Sequence, residues 1–238
     1  MMTNDILPGF YGKLPSIGDF VSRRLPSDFI RPWDQWLQET LYLSKKELGP
    51  RFNECYQSGP IWRFVLGPDC CGGYNAAGIL TPSWDRVGRS YPLMIAVIAD
   101  IPLLHLMVEA GSWFSQLETL VALLLQRKLD LKKFDDRLQQ LKLPLTCFKG
   151  KAHRYENIVY PANDPLFFQV GLSALHQIPE ALGHLTAHLL KGRLSSYSMW
   201  VGKSIQNNNI AVTVFKNLPP PDRFIRFLVR PADPSTLK

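Results

Sequence analysis

Residues 78–100 read GILTPSWDRVGRSYPLMIAVIAD and end in the most apolar strand-like run of the chain. From residue 93 to residue 99 no polar side chain interrupts this run. Strands exposed on one face alternate polar and apolar residues, whereas strands buried on both faces do not. The segment therefore predicts a strand buried on both faces, around which a sheet is built.

Three charged residues precede this strand. Asp85, Arg86 and Arg89 stand between Pro82 and Pro92, close to a segment that we expect to lie in the core. A carboxylate within ~4 to 6 Å of a guanidinium stays ionised and accepts paired hydrogen bonds from it. We therefore predict a loop held by an ion pair between Asp85 and an arginine.

Segments on both sides of this strand predict the rest of the sheet. Residues 61–67 alternate as a strand does, and a glycine-rich turn separates them from an apolar segment at 76–81. These two segments predict a hairpin beside the strand at 91–99, in a mainly antiparallel sheet. The other predicted strands are 6–14 and a closing hairpin of 195–201 and 210–216, whose Trp200 faces the core.

Helical periodicity appears in the remaining apolar segments. Pro32 suits the first residue of a helix, and apolar side chains including Trp33 and Trp36 recur on one face until Gly49. We expect both tryptophans to lie in the core. Further helices are predicted at 113–125, 131–141 and 179–191.

Length and composition indicate a globular protein. The chain has 238 residues, of which 46% are hydrophobic and 20% are charged, and this favours one domain of ordinary density. No apolar run reaches the ~18 residues that a membrane helix needs. Since the first residues lack a basic segment followed by an apolar one, we expect no secretory signal and a cytoplasmic protein without membrane insertion.

The four cysteines do not predict a disulfide scaffold. Cys55, Cys70, Cys71 and Cys147 are few and irregularly spaced. Adjacent cysteines reach ordinary disulfide geometry with difficulty, and the chain has no CxxC pair to build a zinc site. We expect free thiols in a reducing compartment.

Two histidines have the spacing of residues that bind one metal ion. His184 and His188 lie four residues apart on the helix predicted at 179–191. The zincin signature places a glutamate after the first histidine, where this chain has Leu185. A third ligand would have to come from His176, His153 or a distant carboxylate, so we favour two partly exposed helix residues and expect no metal or other cofactor.

Positive charge is concentrated between residues 127 and 154. This segment has nine basic and three acidic residues, a net charge of +6 within a chain of net charge +7. We favour a solvated helix face, with an acidic protein partner as the functional alternative. Nucleic-acid binding is a further alternative, although few aromatic residues interleave with the charges.

The loop at 15–19 carries another candidate carboxylate. Gly18 and Asp19 have the chemistry of a turn, in which the carboxylate accepts hydrogen bonds from nearby amides. Asp19 could instead serve as a general base or metal ligand, but the loop offers it no companion carboxylate. Arg23 and Arg24 follow, and either could meet Asp19, Asp85 or a partner.

Catalytic motifs are not found in the sequence. There is no nucleophile elbow, triad, paired carboxylate, complete metal set or phosphate loop. This favours a binding or regulatory protein. The alternatives are a small-molecule or phosphate-binding enzyme that gathers Asp19, Asp85 and Arg86 in one cleft, and a nucleic-acid-binding protein that uses residues 127–154.

Three segments in the same order resemble the TagF (ImpM-like) family of type VI secretion-associated proteins. They are GFYGKLPSIGDFVSRRLP at 9–26, WRFVL at 62–66 and PSWDRVGRSYPL at 82–93. Trp84 is bulkier than the small apolar residue that the family pattern has there. The resemblance is specific over about the first hundred residues and less distinct in the remainder.

The resemblance implies a function and a fold. Members of the family resemble cytoplasmic negative regulators that act after translation by binding a forkhead-associated scaffold protein. Their fold implies a three-layer α/β sandwich, here a mixed, largely antiparallel sheet with helices on both faces. Neither a nucleic-acid partner nor an enzymatic activity is expected on this basis, and the contact surface and oligomeric state stay open.

We therefore expect one domain over residues 1–238. Residues 1–100 form its motif-bearing, sheet-rich half, and residues 101–238 supply helices and closing strands. The candidate partner-binding residues are Asp19, Arg23, Arg24, Asp85, Arg86 and Arg89.

Overall fold

The computed structural model of the chain describes residues 6–98, 106–107, 110–143, 196–203 and 210–223. The strands are β1 (Gly9–Lys13), β2 (Phe20–Arg23), β3 (Trp62–Leu66), β4 (Ala76–Thr81), β5 (Leu93–Ile98), β6 (Tyr197–Lys203) and β7 (Ile210–Lys216). The helices are α1 (Ser27–Leu48), α2 (Phe52–Gln57), α3 (Gly111–Leu125) and α4 (Leu131–Gln140), with a 3-10 turn at Gly49–Arg51.

The seven strands form one sheet in the order β2-β1-β5-β4-β3-β6-β7. Every neighbouring pair runs antiparallel. The predicted hairpin of β3 and β4 beside β5 is therefore confirmed, while the expectation of a mixed sheet is wrong for the strands described. β5 lies between β1 and β4, and its first five residues are buried, as predicted from its uninterrupted apolar sequence.

Alternate residues of the strands belong to two separate core clusters. One cluster joins sheet residues such as Ile95 to Trp113 of α3 and Phe134 of α4. The other joins sheet residues such as Met94 to Trp33 of α1 and to residues of α2. Because side chains of a strand alternate between its two faces, each helical pair buries a different set of strand residues. The predicted α/β class is confirmed.

Helix α1 begins earlier than the sequence indicated. Pro32 was expected at its first residue, but the helix starts at Ser27 and contains Pro32. A proline here deprives one carbonyl, that of Asp28, of its helical donor. Burial of Phe29 extends the apolar face into this first turn. The predicted end is confirmed, since Gly49 has φ 52° and its amide donates to the Lys45 carbonyl.

Strand β2 was not predicted. It has four residues, of which Val21 alone is buried. Its sequence therefore lacks the alternation of apolar and polar residues that would indicate a strand. The strand ends at Arg23, and the next residue, Arg24, has a φ of 58°. The opening strand is also shorter than the predicted 6–14, and Ile6 instead pairs with Leu143.

The closing hairpin completes the sheet at the edge opposite β2. β6 pairs with β3, and Trp200 lies opposite Phe64. The predicted inward orientation of Trp200 is confirmed, since its side chain is fully buried. Its ring centroid lies 5.3 Å from that of Phe64 and 5.8 Å from that of Trp36. This aromatic cluster therefore joins α1, β3 and β6.

Several predictions fall outside the described residues. They concern the predicted helix at 179–191 with its histidine pair, Cys147 and residues 144–154 of the basic segment. Within the described ranges, no helix is both long and apolar enough to cross a membrane.

Candidate functional site

Asp85 is the centre of a buried ion cluster in the loop between β4 and β5, residues 82–92. Its side chain is fully buried. Oδ1 accepts hydrogen bonds from the backbone amides of Val87, at 3.0 Å, and Arg89, at 2.9 Å. Oδ2 accepts from Arg89 Nε at 2.6 Å and from Lys13 Nζ at 3.0 Å. The predicted Asp85–arginine pair is confirmed, and Lys13 is an additional partner that the sequence did not indicate.

The electrostatics of this cluster keep Asp85 ionised. Burial alone raises the pKa of a carboxyl group, because it disfavours the charged form. Here the hydrogen bonds from the Arg89 amide, Lys13 and the Arg89 guanidinium outweigh burial and hold the pKa of Asp85 well below its ordinary value of 3.8. Asp85 is thus a permanent anion whose two oxygens are both engaged.

The loop that contains Asp85 is tied to the loop between β1 and β2, residues 14–19. Arg89 Nη2 donates to the Gly18 carbonyl at 2.7 Å, and the Arg86 amide donates to the Ile17 carbonyl at 2.8 Å. Ser83 Oγ also donates to the Lys13 carbonyl at 2.7 Å. We refer to residues 14–19 and 82–92 together as the interlocked loops.

Local geometry explains how the sequence forms the tip of the β4–β5 loop. The Asp85 amide donates to the Arg89 carbonyl at 3.2 Å, and the Gly88 amide donates to the Asp85 carbonyl at 3.0 Å. Gly88 has a φ of 87°, which a side chain would disfavour. Trp84 and Ser90 form a bridge below the turn. The tip at Arg86 and Val87 is therefore fixed by hydrogen bonds on both sides.

An aromatic group lies beside the ion cluster. Lys13 Nζ lies 5.2 Å from the ring centroid of Phe20, and the Phe20 ring meets that of Tyr91 edge to face at 4.7 Å. Both Tyr91 and Tyr11 donate a hydroxyl hydrogen bond to Asp34 Oδ1. Burial and this carboxylate raise the pKa of both tyrosines above its ordinary value. These contacts join β1, β2 and α1, so no local sequence signal could indicate them.

The structure divides the predicted partner-binding residues into two groups. Asp85 and Arg89 are committed to the ion cluster, and Arg24 donates to the Pro8 carbonyl at 2.8 Å and to Asp135. Arg24 and Arg89 are nevertheless exposed, as are Asp19, Arg23 and Arg86. The turn interpretation of Asp19 is supported, because its Oδ1 accepts from the Phe20 amide at 2.7 Å, although Gly18 is not among the glycines with positive φ.

Two open grooves flank the edge strand β2. One lies between β2 and α4, and the other lies between β2 and α1. Their lining residues are Ser16, Ile17, Arg23, Asp130, Leu131, Lys132, Asp135 and Asp136 in the first, and Tyr11, Ser22, Ser27, Ile30, Arg31, Asp34, Gln35 and Gln38 in the second. Neither groove is lined by Asp19, Asp85 or Arg86, so these grooves do not provide the cleft that the enzyme alternative requires.

Helix α4 carries the described part of the basic segment. Lys132, Lys133 and Arg137 are exposed, which confirms the predicted solvated face for this helix. Asp130 caps the helix by accepting from the Lys133 amide at 2.8 Å. Residues 144–154 of the segment lie outside the described ranges.

The described cysteines are free and buried. They are Cys55, Cys70 and Cys71. Burial raises the pKa of the Cys71 thiol to about 12, which suppresses the reactive thiolate. Among the residues that the structure describes, no group of three His, Cys, Asp or Glu side chains could hold a metal ion.

Comparisons with known proteins agree on one family. A family model described as the TagF N-terminal domain, type VI secretion system-associated, matches residues 9–141. The crystal structure of PA0076 from Pseudomonas aeruginosa PAO1 is 32% identical in sequence, and the match covers 93% of each chain with a TM-score of 0.73. The comparison with curated proteins gives no match.

Proposed function

This chain belongs to the type VI secretion-associated TagF family, and from that membership we propose that it is a non-enzymatic regulator of type VI secretion. It acts after translation, in the cytoplasm, as a repressor that binds a forkhead-associated scaffold protein. The observation that carries this proposal is the family match over residues 9–141, which includes both interlocked loops. The structural match over 93% of the chain supports it.

The geometry of the interlocked loops suits protein binding. Their backbones are tied together by hydrogen bonds, so little conformational entropy is lost when a partner binds. Arg86, Arg23 and Asp19 lie exposed around this rigid centre. In the proposed mechanism, these loops hold the scaffold in a state that does not support assembly.

The state of Asp85 favours a regulator over the enzyme alternative. A catalytic carboxylate must reach a substrate, whereas Asp85 is fully buried and accepts four hydrogen bonds within the protein. Its lowered pKa also makes it a weak base. The residue therefore supports the loops rather than a reaction.

Charge on α4 favours a protein partner over nucleic acid. Three acidic residues, Asp130, Asp135 and Asp136, interrupt its basic residues, and Asp135 pairs with Arg24. Binding to phosphate backbones depends on basic residues that neutralise the phosphates, and it weakens steeply with salt. A gel-shift titration checks this point, and we expect no shift of DNA or RNA even at low ionic strength.

We also infer a three-layer arrangement for the single domain over residues 1–238. Helices α1 and α2 bury one set of strand residues, and α3 and α4 bury the alternate set. Alternate residues face opposite sides of a sheet, which supports helical layers on both faces.

Co-purification with the forkhead-associated scaffold of the same secretion system tests the proposed function. We expect the tagged wild-type protein to retain the scaffold in buffer of low ionic strength. We also expect secretion by the type VI system to rise when the gene is deleted and to fall when it is restored. A folded wild-type protein that neither retains the scaffold nor changes secretion would contradict the proposal.

A further inference from the structure

We propose that the tip of the β4–β5 loop, Arg86 and Val87, forms with Phe20 a contact surface for an acidic segment of the partner that also carries an apolar side chain. This inference rests on the proposed function for the identity of the partner. It adds Val87 and Phe20 to the candidate residues, and it assigns Asp85 and Arg89 a positioning role behind the contact.

Exposed apolar side chains mark this surface. Val87 is 69% exposed at the tip of the loop, and Phe20 is 43% exposed at the start of β2. Phe20 lies next to the ion cluster through Lys13, which contacts both its ring and Asp85. Water contact with such side chains is unfavourable, and a partner that covers them gains the free energy of their burial.

Arg86 supplies a positive charge to the same surface. Its side chain is exposed and its Nη2 lies 3.7 Å from the position that a Cβ would take on Gly18. Within the part of the chain that the structure describes, no hydrogen bond or ion pair of its guanidinium is found. A guanidinium with five donors and no acceptor nearby fits an incoming carboxylate.

The charges that surround the tip favour an acidic ligand. Arg89 and Lys13 share the single negative charge of Asp85, so the ion cluster keeps one net positive charge. Arg86 adds a further positive charge, against the single negative charge of Asp19. A partner segment with carboxylates complements this surface, and a basic segment would be repelled by it.

Rigidity distinguishes this tip from an ordinary surface loop. The backbone on either side of Val87 is fixed by the Asp85 carboxylate, and the Arg86 amide is fixed by the Ile17 carbonyl. Arginine is enriched among the residues that dominate binding energy, and a preformed backbone lowers the entropy cost of binding. Arg89 supports this geometry because its amide and its guanidinium both donate to the Asp85 carboxylate.

The test uses full-length variants that leave the ion cluster intact. Arg86→Glu and Val87→Ser change the tip, and Arg223→Glu is the matched charge reversal beyond the opposite edge strand. Arg86→Lys keeps the charge but loses the forked donor geometry. Each variant is compared with the wild type by circular dichroism and thermal unfolding, by calorimetric titration with the purified scaffold, and by its ability to repress secretion in cells without the native gene.

We expect Arg86→Glu to weaken scaffold binding roughly tenfold or more, in line with a hot-spot arginine. Val87→Ser should weaken it by a few-fold, because less apolar surface is then buried. Arg86→Lys should fall between the wild type and Arg86→Glu, and Arg223→Glu should match the wild type. Repression of secretion should follow the same order. These variants should unfold at the wild-type temperature, because none of them removes a group that bonds Asp85, and Val87→Ser keeps the backbone amide that donates to Oδ1.

The outcomes separate this surface from the proposed function. If the wild type binds the scaffold and both tip variants bind equally well, the contact surface is wrong while the proposed function stands. If the wild type represses secretion without binding the scaffold, the proposed partner is wrong. The contact surface is then tested by the secretion assay alone, and tip variants that repress as well as the wild type would contradict it. If the wild type does neither, both proposals are overturned.

Discussion

Asp85 shows how one buried carboxylate can join distant parts of a chain. Removing the charge of Asp85 leaves the buried Lys13 ammonium without compensation, whereas Arg89 is 63% exposed and stays solvated. Loss of one member of a buried pair typically costs about 3 to 5 kcal/mol. We therefore expect Asp85→Asn to lower the free energy of unfolding by about this amount, as measured by urea denaturation. Asp19→Asn is the exposed control, and its effect should stay below ~1 kcal/mol. Equal effects of both substitutions would contradict a structural role for Asp85.

The lowered pKa of Asp85 makes its contribution depend on pH. A carboxyl group whose pKa is lower in the folded state stabilises the fold above the unfolded pKa, and this stabilisation is lost as the pH falls toward the folded pKa. The difference in unfolding free energy between the wild type and Asp85→Asn should therefore be constant from about pH 7 to about pH 5 and shrink below about pH 4. Denaturation curves at several pH values check this, and a difference that grows in acid would contradict it.

Thiol reactivity provides a residue-scale test of the core. The raised pKa of Cys71 and the burial of Cys55 and Cys70 leave little accessible thiolate near neutral pH. In a Cys147→Ser variant, we expect iodoacetamide to modify these three thiols slowly in the folded protein and rapidly in denaturant. Mass spectrometry measures the modification, and rapid labelling of the native variant would show that the sites open.

At the scale of residues, a side-chain contact was predictable from the sequence only where its two residues lie close together along the chain. The pairing of Asp85 with Arg89 was predictable, because both residues lie in one short loop between prolines. The contribution of Lys13 was not, since it reaches Asp85 across 72 residues of chain. Val87 carried a usable signal, because an apolar residue at the tip of a charged, proline-bounded loop is often exposed.

At the scale of elements, substitution of two glycines by alanine should change stability in opposite directions. A Cβ on Gly78 of β4 would overlap the Ile95 carbonyl of β5, whereas a Cβ on Gly111 of α3 would meet no atom within 4 Å. Gly78→Ala should thus lower the free energy of unfolding by about 2 kcal/mol or more, through forced separation of two strands. Gly111→Ala should raise it by up to ~1 kcal/mol, since alanine favours the helix. Thermal unfolding of both variants checks the contrast, and a shift of the same sign in both would contradict it.

Prediction of individual elements succeeded where apolar periodicity was strong. The buried strand β5 and helix α3 have long apolar patterns, and both were found. Strand β2 has one buried residue, and the start of α1 precedes a proline, so local pattern was too weak in one case and misleading in the other. Packing against distant elements defines both features.

At the scale of the whole molecule, the part matched by the family model is an incomplete sheet. Residues 9–141 include β1 to β5, but β3 pairs on its other side with β6. A fragment of residues 1–143 would leave that edge of β3 unpaired and remove Trp200 from the aromatic cluster. We expect this fragment to be insoluble or to unfold at much lower urea concentration than the full chain. A soluble fragment with the same midpoint would show that residues 1–143 fold independently.

Substitution of Trp200 tests the same dependence in the full chain. The residue is fully buried and contacts rings of α1 and β3. Trp200→Ala should lower the free energy of unfolding by about 3 to 5 kcal/mol. Fluorescence and circular dichroism should report one coincident transition in the wild type, as expected for one domain. Separate transitions would divide the chain into two folding units.

Strand order was only partly predictable. Hairpins connect neighbouring segments, so the pairs β3–β4 and β6–β7 followed from their turns. The positions of β1 beside β5 and of β6 beside β3 depend on long-range packing, for which this sequence has no local signal. Family resemblance supplied the functional class, whereas coordinates were required to show that Asp85 is buried while Arg86 is exposed at the tip of the same loop.

The pairing of β3 with β6 also affects how the protein is made. Leu66 pairs with Ser198, which the ribosome adds 132 residues later. At about 5 to 20 residues per second, this interval lasts roughly 7 to 26 s. Throughout that time the nascent half-sheet has an open edge that could pair with another chain. An unpaired strand edge is prone to aggregation, so this interval is the stage at which we expect a chaperone to protect the chain.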